Sequence, residues 1–388
     1  MNLNRVSIKK QCLAPGVVNY GLVLALAACG VHSQAFGQTT TIITTTTATT
    51  TVKAASCLFP AVQAAVSVAK AGQTVVVPAG DCDWGANQLT VPTGISMQGA
   101  GRNLTTIRRT AAVPANTYLI AATCTTSKPV KFSDMTLVGA NLPRSQDRGL
   151  GLLYGCVDFV VSNMKFTKFV FAGIEVRGPV RQRGVIHDSE FIDNYNTTNG
   201  SLGYGIVVFG DGTWPALELG SQNAVFVEDN YMSGNRHHIA ANNGARYVFR
   251  YNYAQATQAT KDFSQVDAHG FSSSPRGTRS YEVYYNKFYA NITSGRNLTA
   301  VGIRGGDGVV YNNTYGPNIA YPVLLLLEAA TCGTYPVQDQ VRKAVIAEAV
   351  PNPVMSQCEK SIALNRDYFV QAKAGYKPYF YPHPLRTY

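Results

Sequence analysis

Residues 223–313 repeat one unit, a short alternating run that ends in a polar pair. The pairs are Asp229-Asn230, Tyr251-Asn252, Tyr285-Asn286 and Asn312-Asn313, preceded by alternations such as Val225 and Val227 or Tyr247 and Phe249. Asn is the non-glycine residue that best tolerates the left-handed backbone region, so an Asn at one turn position per repeat points to one turn geometry reused. The units recur every 22 to 34 residues, the period of a solenoid. Helical solenoids space apolar residues by three and four; these segments alternate with period two and are rich in Val, Tyr and Phe. The architecture that fits is all-β, a single-stranded parallel β-helix whose rungs stack at ~4.8 Å.

The same ruler extends backwards through Asp134-Met135, Asn163-Met164 and Asp188-Ser189. Three residues past the first member of each pair lie Leu137, Phe166, Phe191, Met232, Ala254, Phe288 and Tyr315, which are expected to point inward. A second strand recurs after each long connection: GIEVRG from 173, GIVVFG from 205, HIAANN from 238, DAHG from 267 and GIRGG from 302. Its inward column reads Ile174, Ile206, Ile239, Ala268 and Ile303. Strict alternation then turns His238, Asp267, His269 and Arg304 outward on one face, with Glu175 and Arg177 on the same face further back. A one-residue slip would expose His237 in place of His238.

A basic stretch and the apolar run GLVLALAAC at 21–29 read as an export signal over residues 1–35, too short to be a comfortable membrane span. Ser33-Gln34-Ala35 suits cleavage before Phe36, giving a secreted or periplasmic protein, which is the preferred reading. Leu26-Ala27-Ala28-Cys29 resembles a lipoprotein box, which would anchor Cys29 to lipid at the outer surface. A Thr-rich linker follows over 36–53, then a capping helix over 54–70, the β-helix over 54–330, and a C-terminal cap over 331–388 in which 337–350 could be helical. Cys57, Cys82, Cys124, Cys156, Cys332 and Cys358 make an even set for an exported chain, with sequence-local pairing expected: Cys57–Cys82, Cys124–Cys156 and Cys332–Cys358.

The chain carries 33 Lys and Arg against 22 Asp and Glu, a net charge of +11 that suits a polyanionic partner. No Lys/Arg-dense tract or nucleic-acid module is present, which favours an acidic polysaccharide over nucleic acid. GAGRNL lacks the Lys-Ser/Thr ending and following helix of a phosphate loop.

A capping helix, then GQTVVVPAG, then ISMQGAGRNLTTI resembles the entrance to the pectate-lyase-like right-handed β-helix superfamily. The resemblance implies a right-handed coil and a polysaccharide lying along the outer face of the sheet that bears His238, Asp267, His269 and Arg304. β-Elimination on a uronic-acid polymer needs a cation for the enolate, a base for the proton beside the carboxylate, and an acid for the leaving oxygen. Arg304 is the candidate for carboxylate binding, His238 or His269 for the base, and Asp267 for orienting a histidine. Arg250 or Tyr284, in a second outward column with His187, Glu228 and Tyr311, is the candidate for the leaving group. Arg236, Arg246, Arg276 and Arg279 bracket the site, and Trp214 in the longest insertion is placed to stack on a sugar. SSSPRGTRS approximates the RxPxxR segment of pectate lyases, whereas their calcium-binding aspartate cluster has no evident counterpart. No cofactor is predicted, and calcium is left open. A hydrolase using Glu175, Glu228 or Asp267, and a non-catalytic β-helix that binds glycan or self-assembles, stand as alternatives to the lyase.

Overall fold

The computed structural model describes residues 50–124, 129–143, 145–179, 181–260, 264–270, 276–327, 341–348, 354–356 and 362–388. The expected export signal, Cys29, most of the Thr-rich linker, Cys332 and Cys358 lie outside them.

Each coil of the chain visits three sheets in turn, as in Val225–Glu228, Tyr231–Ser233 and His237–Asn242, and then re-enters the first sheet at Arg246–Arg250. Among the described residues the first sheet has 12 strands, the second 9 and the third 10. Every neighbouring pair of strands is parallel, so the fold is the expected right-handed parallel β-helix. The inward column is in the expected register, Leu137 beside Phe166, Phe191, Met232, Ala254, Phe288 and Tyr315. All but Tyr315 are fully buried, each burial of a large apolar side chain contributing about 1.5–3 kcal/mol.

The turn between the first and second sheets differs from expectation in which residue is left-handed. Positive φ falls on the first member of each pair, Asp229, Tyr251 and Tyr285 included, at 55°, 57° and 56°. The following Asn is turned into the wall as a hydrogen-bonding ladder. Asn230 Nδ2 donates to Asn252 Oδ1 at 3.1 Å, Asn252 Nδ2 to Asn286 Oδ1 at 3.1 Å, and Asn286 Nδ2 to Asn313 Oδ1 at 2.9 Å. Each Oδ1 also accepts the backbone N–H of the Asn one rung back, as Asn252 does from Asn230 at 3.0 Å. Asn is selected here for carrying a donor and an acceptor on one short side chain. Asn252→Leu strips an acceptor from the Asn230 N–H and donors from the Val227 and Arg250 carbonyls. We expect a loss of about 3–5 kcal/mol by urea denaturation, from several buried groups left unsatisfied; a loss below about 1 kcal/mol would refute the ladder's role.

Helix α1 (Phe59–Val68) sits where the capping helix is expected and buries Val62, Ala65 and Val66 against the first coils. The Thr-rich linker is shorter than expected, because Thr51–Lys53 already pairs with Thr74–Val76. Disulfides join Cys57 to Cys82 and Cys124 to Cys156, as expected.

The C-terminal segment departs most. Val341–Ile346, inside the stretch read as helical, is a strand pairing with Gly306–Tyr311, since a continuing ladder satisfies its backbone along one edge. The coil therefore extends past residue 330, to Tyr368–Phe369 in the first sheet. The last residues do not close the final rung; they run back along the outer face of the first sheet. The phenol of Tyr376 meets Glu282, Tyr381 stacks on Tyr251 at 3.7 Å, His383 lies 4.5 Å from the Phe226 ring, and Lys131 Nζ reaches the Tyr388 carbonyl at 2.7 Å. From Glu282 to Lys131 is five rungs, ~24 Å of sheet covered by one strap.

Candidate functional site on the third sheet

The outer face of the third sheet carries Glu175, Val207, Ala240 and Asp267 in one row, with Ile174, Ile206, Ile239 and Val266 beside them facing the core. Strict alternation fails at the start of each strand. Tyr204 aligns with His237 and Ile206 with Ile239, leaving Gly149, Gly173, Gly205 and His238 at the position between. A Cβ on Gly173 would lie 2.9 Å from Phe166 Cβ and 3.2 Å from Phe191 Cδ1, so this position points into the coil. His238 occupies it, fully buried, its Nδ1 accepting from Asn235 Nδ2 at 3.0 Å. The expected assignment of His238 to the outer face is therefore corrected: His237 faces outward, stacked on Tyr204 with ring centres 5.7 Å apart.

His237 gathers most of the expected site around it. Its Nδ1–H donates to the Ser264 carbonyl at 2.6 Å, which leaves Nε2 as the lone-pair nitrogen of a neutral ring. Burial holds its pKa well below the ordinary value; the Arg236 guanidinium pushes in the same direction and Asp267 opposes it. Asp267 is fully buried, and Arg304 Nε donates to its Oδ1 at 2.9 Å while Nη2 meets Oδ2. Burial alone would raise the Asp267 carboxyl, but the charge and hydrogen bonds of the Arg304 guanidinium bring it below the usual carboxylate range. Arg304, expected to present its fork to a substrate, spends two donors on Asp267 instead. Arg236 lies over Tyr204, its guanidinium carbon 5.3 Å from the ring centre.

Arg250 and Tyr284 are not part of this constellation. They lie on the outer face of the first sheet, buried beneath the C-terminal strap, because their strands belong to a different side of the coil. Trp214 is half-buried beneath two cations, Arg276 at 5.6 Å and Arg279 at 4.7 Å. Arg279 also holds the Pro215 carbonyl and Asp307, and Arg246 holds Glu218, so the long insertion packs down onto the coil. Glu175 and Arg177 share the His237 face but lie further along it, with Arg148 completing their cluster. Sequence reasoning missed Tyr204, Arg148 and Tyr118. Two of them, Tyr204 and Arg148, share a signal, the residue immediately before the glycine in the repeats RGL, AGI and YGI. Among the described residues, no three His, Cys, Asp or Glu side chains converge to hold a metal.

Four histidines are buried neutral. Burial lowers His187, His237, His238 (to about 3) and His383 (to about 4), and Leu385 N–H donates to His383 Nδ1 at 3.1 Å, a bond a protonated ring cannot accept. Above about pH 6.5 these rings are neutral in both states. Below it the unfolded chain gains protons that the folded chain refuses, so stability falls toward the folded pKa values, by up to ~1.4 kcal/mol per pH unit per histidine. Asp147, Glu282 and Glu348, raised by burial, act in the opposite sense, above the ordinary carboxylate range. Denaturation midpoints should be flat above pH 6.5 and decline from there to pH 4.5; no decline would contradict the neutral burial of these rings.

No family model and no curated protein matches the chain. Solved structures with a similar fold include an alginate lyase from Paenibacillus at 14% identity, covering 86% of this chain and 98% of that one with a TM-score of 0.46. The Dettilon tailspike protein matches at 13% identity over 82% of this chain and 61% of its own, TM-score 0.44. A Geobacillus virus E2 protein matches at 14% over 77% and 56%, TM-score 0.42, so this chain spans little more than half of its length. The likeness is one of fold alone.

Proposed function

We propose that the protein is a polysaccharide lyase that takes a uronic-acid-containing glycan along the outer face of the third sheet and cleaves it by β-elimination at His237. The observation that carries this reading is a neutral imidazole on the outer side of the third sheet, 1% exposed, whose Nδ1 is tied to the Ser264 carbonyl and whose neighbours include the guanidinium groups of Arg236 and Arg304. A substrate carboxylate arriving beside His237 adds negative charge, which raises the base strength of Nε2 as the reaction begins. Nε2 then takes the proton on the carbon beside that carboxylate. The C–H electrons form the new double bond as the glycosidic C–O bond breaks, and the leaving oxygen takes the phenol proton of Tyr204, which stacks on His237; solvent then reprotonates the phenolate and takes the proton from His237. Arg236 stabilises the enolate charge, while Arg304 stays engaged with Asp267. The two disulfides fit an oxidising compartment such as the cell exterior or the periplasm.

A hydrolase pair finds less support. Glu175 and Asp267 are three rungs apart, ~14 Å, beyond the ~5–9.5 Å that flanking carboxylates span. Binding without turnover is the second reading, favoured by the engagement of Arg304 with buried Asp267. Alginate, pectate, chondroitin and glucuronan, each with and without calcium, separate the three readings. Ultraviolet absorbance of unsaturated uronate rising together with reducing ends supports elimination, and reducing ends alone overturn it in favour of hydrolysis. Binding with neither signal leaves the second reading.

A further inference from the structure

A separate cleft of about 500 Å³ opens on the same face, lined by Gln88, Asn116, Tyr118, Tyr154, Arg177 and Gly178 among others. Its charge balance is unusual. The Glu175 carboxylate is fully buried and already paired with the buried Arg148, so the second guanidinium beside it, Arg177, is a surplus positive charge. Arg177 is held at two points, its Nε 2.6 Å from Glu175 Oε1 and its guanidinium carbon 4.1 Å from the Phe209 ring centre. Its side chain is nonetheless 47% exposed and lines the cleft. A guanidinium oriented from behind and open in front suits bidentate capture of a carboxylate.

Tyr154, on the wall of the cleft, is 66% exposed and has a φ of 64°, a backbone region that bulky side chains rarely adopt. Two features hold it there. The Cys124–Cys156 disulfide fixes the chain two residues on. On the other side Gly178 packs so closely that a Cβ there would come 2.1 Å from the Gly155 nitrogen and 2.7 Å from the Tyr154 carbonyl carbon. An aromatic ring kept in solvent by a strained and doubly braced turn is a feature of binding sites.

We propose that this cleft is a second glycan subsite, in which Arg177 binds the carboxylate of a uronate ring and Tyr154 packs against the face of that ring. The proposal rests on the reading of the third-sheet face as a glycan site. Glu175 lies two rungs from Ala240 on the His237 strand, ~10 Å, so the subsite holds a sugar other than the one that reacts.

Calorimetric titration of galacturonate and mannuronate oligomers of two to six units, and of the same oligomers with their carboxyls reduced, tests this. His237→Gln protein serves as the non-cleaving background. Arg177→Met is expected to weaken binding of the acidic oligomers by about 10- to 100-fold and to leave the reduced ones unchanged, while Glu175 stays paired with Arg148. Tyr154→Ala, at an exposed position, is expected to weaken both kinds by about 2- to 10-fold. Arg177→Lys, which keeps the charge, should recover part of the acidic binding. Unchanged affinity in Arg177→Met, equal loss for acidic and reduced oligomers, or no binding of any oligomer to the parent protein overturns the subsite. Arg177-dependent binding without unsaturated product would keep the subsite and remove the lyase reading. Cleavage whose KM ignores Arg177→Met would do the reverse.

Discussion

Replacing His237 with Gln is expected to lower the rate of unsaturated-uronate formation by about 10²–10⁴-fold, the usual contribution of a positioned general base. Gln keeps an N–H donor for the Ser264 carbonyl, which His237 engages at 2.6 Å, but has no nitrogen lone pair to accept a proton. Glycan binding and the denaturation midpoint should therefore change little. His238→Gln is the matched control, since His238 lies inside the coil against Asn235 and its loss should lower stability rather than the rate of the folded protein. Initial rates by ultraviolet absorbance, with melting curves for both variants, check the pair. Equal rates in parent and His237→Gln would remove His237 from the chemistry. A folded but inactive His238→Gln beside an active His237→Gln would mean that the strand start alternates after all.

Arg250→Met should destabilise the protein by about 3–5 kcal/mol, the scale for breaking a buried ion pair by removing one partner. Arg250 is fully buried, and its Nε donates to Glu228 Oε2 at 2.7 Å. The same side chain donates to the Tyr284 phenol at 3.0 Å and to the carbonyls of Tyr379 and Phe380 at 2.8 and 2.6 Å. One side chain therefore joins the wall of the coil to the strap. Met fills similar space but leaves the Glu228 carboxylate, among the described residues, with the His383 N–H and Arg386 to offset its burial. Hydrogen exchange at residues 379–386 should rise in step with the loss of denaturant resistance. Glycan affinity should not follow, because the strap covers the first sheet and His237 is on the third. Unaltered exchange in the strap would show that its aromatic contacts hold it without Arg250.

Much of the coil was legible in the chain because its determinants are local and repeat. Period-two alternation, the polar pairs and the column from Leu137 to Tyr315 each follow from side-chain direction within a strand, and stacking carries one rung's geometry to the next. Half of the candidate site was legible for the same reason: Asp267, His269, Arg304 and Arg236 do assemble on one face. Arg250 and Tyr284 were drawn in wrongly because an outward column looks alike on any sheet of the coil, and alternation alone does not say which side of the solenoid it occupies.

The amino-acid sequence by itself determined the parallel coil, the inward column from Leu137 to Tyr315 and the capping helix, since each depends on spacing along the chain; in the third sheet the structure pairs Ile239 with Val266 rather than with the expected Ala268. The tertiary structure alone decided that His237 and not His238 faces out, because the glycine position at each strand start is turned inward by packing against Phe166 and Phe191. It alone decided that the Asn of each turn forms a ladder while its neighbour takes the left-handed backbone. The return of the C-terminal strap along the first sheet belongs with these, because Arg250, Glu228 and Asp188 meet residues 379–386 only once more than a hundred intervening residues have coiled. Spacing along the chain carries no record of partners so distant in sequence.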